Sequence, residues 1–140
     1  MRTQPQEIIK QLEADNSRLA KEQVLEKAMH EGLDEFFEGV KMALDPLVTF
    51  GVKQVPERNN VLTGQGLSWE NFKTLADQLI ARDLTGHAAR DAIELAMGVA
   101  TTEQWNMFYR RILIKDLRCG VSEKTVNKIA KKFPQYAIPT

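Results

Sequence analysis

The sequence has few of the residues that build covalent or metal-bound frameworks. Among its 140 residues there is one cysteine, Cys119, and there are two histidines, His30 and His87. A single cysteine forms no intrachain disulfide, and three such ligands cannot complete a four-ligand cysteine/histidine zinc site. We therefore expect no metal site. The single thiol fits a reducing cytoplasm, where we expect the protein to act.

Long hydrophobic runs are also missing, and we expect the first residues not to act as a leader segment. No apolar run approaches the roughly 20 residues that span a bilayer, and the first residues, MRTQPQEIIKQLEAD, are too polar and acidic for a secretory signal. No repeat, low-complexity tract or pair of strand-like segments at hairpin spacing is present. These absences argue against a membrane protein and against a β fold.

The chain has no net charge, but its charges are unevenly distributed. It contains 19 basic and 19 acidic residues. Residues 103–132 hold eight of the basic and three of the acidic ones, so this segment has five excess positive charges and the remainder five excess negative charges. Such asymmetry indicates a basic face toward an anionic partner. A solvated basic helix would give the same pattern.

Hydrophobic periodicity predicts an all-α fold, a single compact domain of six to seven helices with one long loop. Residues 46–67 form that loop, with room for one short extended piece, because they contain several glycines, two prolines and an Asn-Asn pair. A stripe of Trp105, Phe108, Tyr109 and Ile112 predicts a core helix, and an aromatic binding platform is the alternative. The predicted helix caps are Ser17, Ser68, Thr85, Thr101 and Ser122.

The segment from Leu117 to Ser122 has the composition of a phosphate-binding turn. Gly120 permits a sharp reversal, and Ser122 starts a helix whose first amides and dipole favour an anion. The candidate contacts are Lys115, Arg118, Gly120, Ser122, Lys124, Thr125, Asn127 and Lys128. Such donors suit sugar-phosphate oxygens better than base edges, so we expect sequence-independent binding. An ordinary glycine-turned helical hairpin with solvated lysines is an equal alternative.

A second turn, Thr85-Gly86-His87, repeats this arrangement more weakly. Here a plain helix start is the preferred interpretation, since Thr-Gly before a helix is common. His87 either contacts phosphate or has no role in binding.

The run RRILIKDLRCGVSEKTVNKI, residues 110–129, resembles the N-terminal DNA-binding domain of ATP-dependent DNA ligases. That family has a hydrophobic helix, a Leu-Arg-x-Gly turn and a small or hydroxyl residue that opens the next helix. The resemblance covers residues 20–138 and is nearest to ligases of T-even-type phages, which are also similar at residues 69–80 and at LTGHAA, residues 84–89.

The resemblance implies an all-α domain that holds nicked duplex DNA from its minor-groove side while the ligase seals nicks in replication and repair. The family's contacts at the turn correspond to Lys115, Arg118, Gly120 and Ser122. Two residues depart from the family pattern: Asp116 stands where many cellular ligases have a basic residue, and Lys115 replaces a common glycine.

The family's chemistry is missing from this chain. Ligases transfer AMP from ATP to the lysine of a Lys-x-Asp-Gly motif, and no lysine here has that sequence or a neighbouring acidic cluster for magnesium. The resemblance therefore implies that the chain has no catalytic residue, binds no cofactor and is inactive alone, with ATP and magnesium acting in the full-length ligase.

We expect residues 1–133 to form the DNA-binding domain and residues 134–140 to begin a linker to an adenylation domain. The implied partners are nicked double-stranded DNA and the ligase's own adenylation and OB-fold domains. We expect a monomer with no membrane contact, in the host cytoplasm if a phage encodes it.

Two rival functions remain. A helical adaptor module of a replication complex would use the acidic first half and the long loop, with the turn only structural. A complete small enzyme is poorly supported, because no paired catalytic carboxylates, Ser/His/Asp set or glycine-rich nucleotide loop is present.

Overall fold

The computed structural model describes residues 3–59 and 64–139. Across these two ranges the chain contains helices and no β-strand, so the predicted all-α fold is confirmed. The helices are α1 (Pro5–Ala14), α2 (Arg18–His30), α3 (Asp34–Leu44), α4 (Trp69–Ile80), α5 (Gly86–Val99), α6 (102–113) and α7 (Glu123–Ala130), followed by a 3-10 turn at Pro134–Tyr136. None of these helices has both the length and the apolarity needed to cross a bilayer.

The predicted helix starts agree with the observed ones. Side-chain oxygens of Ser17, Ser68 and Ser122 each accept a hydrogen bond from a first-turn amide. Thr101 forms a capping box with Gln104, as its spacing predicts. Thr85 occupies the N-cap position of α5, but its hydroxyl makes no capping bond.

Helix α6 lies at the centre of the core. Trp105, Phe108 and Ile112 are at most 1% exposed, and the Tyr109 ring stacks on Phe72 of α4 at 4.4 Å between centroids. The aromatic stripe is therefore core, as predicted, and the platform alternative is wrong. Gly39 allows α3 to approach closely, since a Cβ there would lie 2.4 Å from the Phe108 ring.

The middle of α6, Trp105–Tyr109, is π-helical. This wider segment directs two polar aromatic atoms at the loop between α3 and α4. Trp105 Nε1 donates to the Pro56 carbonyl at 2.9 Å, and the Tyr109 hydroxyl donates to the Leu67 carbonyl at 2.6 Å. The core helix thus anchors both described parts of the loop.

The loop between α3 and α4 packs against the helices and contributes side chains to the core. Phe50, Val55 and Leu67 are buried. The Asn106 side chain pairs with the backbone of Arg58, accepting from its amide at 2.8 Å and donating to its carbonyl at 2.9 Å. The predicted short extended piece is not seen in the described part of the loop, and residues 60–63 lie outside it.

The segment predicted to begin a linker packs against α3 and α7. Tyr136 and Ile138 are buried, and the Tyr136 hydroxyl donates to the Asp34 carboxylate. The Asn127 amide donates to the Ile138 carbonyl at 3.0 Å and accepts from the Ile138 amide at 2.7 Å. These residues therefore pack against the described helices, and both the domain boundary at residue 134 and the adenylation domain stay predictions.

Candidate nucleic-acid interface

The turn after α6 begins with a left-handed residue that is not glycine. The Asp116 amide donates to the Arg111 carbonyl and the Lys115 amide to the Ile112 carbonyl, both at 3.0 Å, which is a Schellman motif with Lys115 at φ +56°. A side chain in this conformation costs about 1–2 kcal/mol. This explains why glycine suits the position in the family that the sequence resembles.

Lys115 compensates for that cost by capping another helix. Its Nζ donates to the carbonyls of Met42 and Asp45 at 2.7 and 2.8 Å, at the C-terminal end of α3. Burial lowers the pKa of Lys115, and the Asp45 carboxylate opposes part of that shift. Its predicted DNA contact stays a prediction, and the ammonium would have to leave these carbonyls to make it.

Arg118 is the exposed cation of the turn. It is also left-handed, at φ +53°, and its side chain is 51% exposed. Asp116 restrains it twice: one carboxylate oxygen accepts from the Arg118 amide at 3.1 Å, and the other lies 3.5 Å from Nε. The acidic departure from the family pattern therefore competes directly for the guanidinium.

Gly120 and the start of α7 present unpaired amides. Gly120 is exposed at φ +72°. Ser122 Oγ accepts from the Thr125 amide at 3.4 Å, and its hydroxyl lies 3.4 Å from that of Thr125. Over the described residues, no acceptor engages the amides of Gly120, Glu123 or Lys124. These amides can therefore donate to an anion, and the nearby Glu123 carboxylate would oppose its binding.

The remaining candidates on α7 differ in whether their side chains already have hydrogen-bond or ion-pair partners in the fold. Lys124 is exposed and forms no ion pair within the described ranges. Lys128 donates to Glu22 of α2 at 2.6 Å, and both sides of the Asn127 amide are bound to the backbone of Ile138. Lys128 and Asn127 would have to give up these partners to reach DNA.

Two basic side chains donate hydrogen bonds to backbone carbonyls on the inner side of the turn. Neither of them was identified from the sequence. Arg111 donates to the Leu117 carbonyl at 3.0 Å, and Lys21 donates to the Cys119 carbonyl at 2.8 Å. Lys21 is only 8% exposed. Its one signal in the sequence is its place four residues before the buried Leu25 on the apolar side of α2.

An open groove of about 680 Å³ runs from this turn toward α5. Its lining includes Arg118 and Asp116 from the turn, Arg110 and Ile114 from the end of α6, Arg90 and Glu94 from α5, and Lys53, Gln54, Val55 and Pro56 from the loop. The sequence interpretation missed Lys53 and Arg90, because only the fold brings them to the turn.

The groove also connects the second predicted turn with the first. Arg90 Nη2 lies 2.9 Å from His87 Nδ1, and Thr85, Gly86 and His87 are all exposed. Arg110 is held inside the groove wall, since it donates to the Val55 carbonyl at 2.7 Å and lies 3.7 Å from Glu57. Among the described residues, no group of three acidic, histidine or cysteine side chains is placed to hold a metal ion.

The chain closely resembles two ligase-related structures. They are named Pmar-Lig_PreS3 and Pmar-Lig_Pre., with sequence identities of 64% and 63% and TM-scores of 0.95 and 0.96. The similarity covers 99% of this chain but 32% of each of theirs, so the chain spans about a third of their length. No protein-family model and no curated protein matches the sequence.

Proposed function

We propose that this chain is the DNA-binding domain of an ATP-dependent DNA ligase and holds duplex DNA at a nick by its sugar-phosphate backbone. The observation that carries the proposal is the exposed turn, where unpaired amides of Gly120 and α7 lie beside Arg118 and Lys124. Amides and cations together suit a phosphate oxygen, and they carry no information about base sequence. The similarity to the ligase-related structures supports the choice of enzyme.

The candidate residues divide into those that are ready to bind and those that need rearrangement. Arg118, Gly120, Ser122, Lys124 and Thr125 face solvent at least in part. The Thr85-Gly86-His87 turn and the groove cations Lys53 and Arg90 would extend the surface along α5. Lys115, Asn127 and Lys128 would join only by exchanging internal partners.

The nick-sealing chemistry would lie in the remainder of the ligase. The chain lacks the Lys-x-Asp-Gly motif, so its own residues would bind and orient DNA, while an adenylation domain with ATP and magnesium supplies the AMP transfer. We propose that this chain alone is an inactive, cytoplasmic monomer. Its partners would be nicked DNA and the adenylation and OB-fold domains.

The first experiment is a titration of a fluorescent nicked duplex at several salt concentrations. We expect binding that weakens steeply with salt. The double variant Arg118→Glu/Lys124→Glu should bind at least tenfold more weakly, and its salt slope should fall by about two, one for each phosphate that is no longer neutralised.

The matched control is Lys27→Glu/Lys41→Glu, which makes the same charge change at two exposed lysines away from the turn. Equal reductions in affinity for both variants would mean that net charge rather than the turn governs binding. No binding at low salt by a folded wild-type chain would contradict the proposal.

A helical adaptor module is the second candidate, favoured by one apolar patch. Leu95 and Val99 lie one turn apart on α5 and are 71% and 42% exposed. A protein partner that competes with DNA for the groove side of α5 would support this function. A protein partner of a chain that shows no binding to DNA would also support it.

A further inference from the structure

We infer that Lys21 is a positioning residue for DNA binding: its buried ammonium fixes the Cys119–Gly120 peptide so that the Gly120 amide faces outward toward a phosphate. The inference rests on the proposed DNA-binding function. It concerns a side chain that lies behind the binding surface and about 100 residues away from the turn in sequence.

The ammonium of Lys21 is held by backbone carbonyls alone. It is 8% exposed, and its Nζ donates to the Leu12 carbonyl at the end of α1 at 2.5 Å and to the Cys119 carbonyl at 2.8 Å. Over residues 3–59 and 64–139 it forms no ion pair. A buried charge normally has a counter-ion close by. Lys21 differs, because among the described residues it has hydrogen bonds to carbonyl oxygens and no ion pair.

The geometry of the peptide bond links this hydrogen bond to the outer surface. In a planar trans peptide the C=O and the following N–H point in opposite directions. Because the Cys119 carbonyl points inward to Lys21, the Gly120 N–H must point outward. The exposure of Gly120 and the lack of an acceptor for its amide among the described residues agree with this orientation.

Gly120 itself is fitted to Lys21. A Cβ at this position would lie 3.1 Å from Lys21 Cε and 3.3 Å from Nζ, and the φ of +72° already disfavours a side chain. The missing side chain therefore brings the ammonium close behind the turn and leaves the amide open in front. The positive charge of Lys21, close behind the turn, adds to the attraction for a phosphate there.

The test compares Lys21→Met with Lys27→Met, an exposed lysine on the same helix, so that both variants lose one positive charge. In folded protein, Lys21→Met should bind a nicked duplex at least tenfold more weakly, as expected when a hydrogen bond to a charged group is removed. Lys27→Met should stay within twofold of wild type. In ¹⁵N spectra, DNA should shift the Gly120 amide of wild type and of Lys27→Met but leave that of Lys21→Met nearly unchanged.

A merely structural Lys21 would lower the free energy of unfolding and leave the affinity of the folded protein and the Gly120 shift intact, which would overturn the inference. If Lys21→Met does not fold, hydrogen exchange of wild type decides. The Gly120 amide should exchange rapidly without DNA and slowly with it, and protection in the free protein would contradict the inference. Failure of wild type to bind DNA at all would instead contradict the proposed function.

Discussion

At the scale of single residues, Lys115 shows how one side chain can serve two purposes. Its backbone takes the left-handed conformation that ends α6, and its ammonium closes the C-terminal end of α3. Glycine would perform only the first of these tasks, with less strain. Lysine at this position therefore adds two tertiary hydrogen bonds, which offset the local backbone strain.

Replacing Lys115 should separate these two contributions. Lys115→Ala keeps the strained backbone and removes both hydrogen bonds, so it should destabilise the fold by about 1–3 kcal/mol. Lys115→Gly should be about 1 kcal/mol more stable than Lys115→Ala, because glycine tolerates positive φ. Urea unfolding of both variants would measure the difference.

The same pair of substitutions at Lys41, an exposed residue in the last turn of α3, provides the control. There alanine should be the more stable by about 0.5–1 kcal/mol, as expected inside a helix. An alanine variant at position 115 that is as stable as the glycine variant would show that strain at Lys115 is not significant.

The residues of the turn could be found from the sequence, but their partners could not. Arg118, Gly120 and Ser122 follow from local chemistry, since a glycine reversal and a capped helix start lie within six residues. The pairing of Lys21 with Cys119 joins segments 98 residues apart. No local pattern encodes such a contact.

At the scale of helices, α2 and α7 share a line of opposite charges. Lys128 pairs with Glu22 at 2.6 Å, and Lys132 pairs with Glu26 at 3.0 Å. Glu22 and Glu26 are four residues apart, and so are Lys128 and Lys132, so the two ion pairs lie about one helical turn apart. The charge asymmetry that the sequence shows is therefore partly neutralised inside the fold, and Lys124 and Lys131 are exposed lysines of this segment that form no ion pair among the described residues.

The Glu22–Lys128 pair should make stability depend on pH in a defined range. The hydrogen bond from Lys128 is the main cause that lowers the pKa of Glu22 below its ordinary 4.5, and burial opposes it. A lowered carboxyl pKa adds stability that is complete above the unfolded value and is lost as pH falls through the folded one. The stability difference between wild type and Glu22→Gln should therefore shrink below pH 4.5, in urea unfolding at successive pH values.

Glu31→Gln, at an exposed carboxylate next to α2, is the control for this series. A difference for Glu22→Gln that stays constant from neutral to acidic pH would show that the ion pair does not contribute.

Helix positions and caps were predictable because they depend on neighbours in sequence. Ser17, Ser68, Ser122 and the Thr101–Gln104 box all cap as their spacing predicts. The π-helical turn within α6 was not predicted, and the loop carbonyls that Trp105 and Tyr109 reach from it are 49 and 42 residues away in sequence. The path of the loop itself depends on the same hydrogen bonds.

At the scale of the whole molecule, the turn and the groove form a continuous candidate surface. The groove shares Arg118 with the turn and reaches α5, where Arg90 contacts His87. Glu94 and Asp116 also line it, so its positive character is moderate. A nucleic-acid backbone that follows this surface would meet cations from the loop, from α5 and from the turn.

Reversing the charge at the loop and at α5 would test this path. Lys53→Glu/Arg90→Glu should weaken binding to a nicked duplex several-fold and reduce the salt slope by about one for each phosphate that these cations neutralise in wild type. Its effect should be smaller than that of Arg118→Glu/Lys124→Glu, because acidic side chains share the groove. Binding equal to that of Lys27→Glu/Lys41→Glu would confine the interface to the turn.

The sequence therefore predicts the fold and the residues of the turn better than it predicts the groove residues at the edges of the candidate surface. An all-α domain follows from periodicity that persists along almost the whole chain. The edges depend on which exposed cations converge in space, and Lys53 and Arg90 lie 65 and 28 residues before Arg118.

The π-helical turn of α6 also sets the direction in which the turn after this helix faces. Its wider winding inserts the equivalent of one extra residue, and each residue of an α-helix advances the chain by about 100°. If the same residues wound as a regular α-helix instead, everything that follows would be rotated by about that angle. Arg111 would then swing away from Glu13 of α1, and the turn would face a different side of the molecule without any change in its own residues.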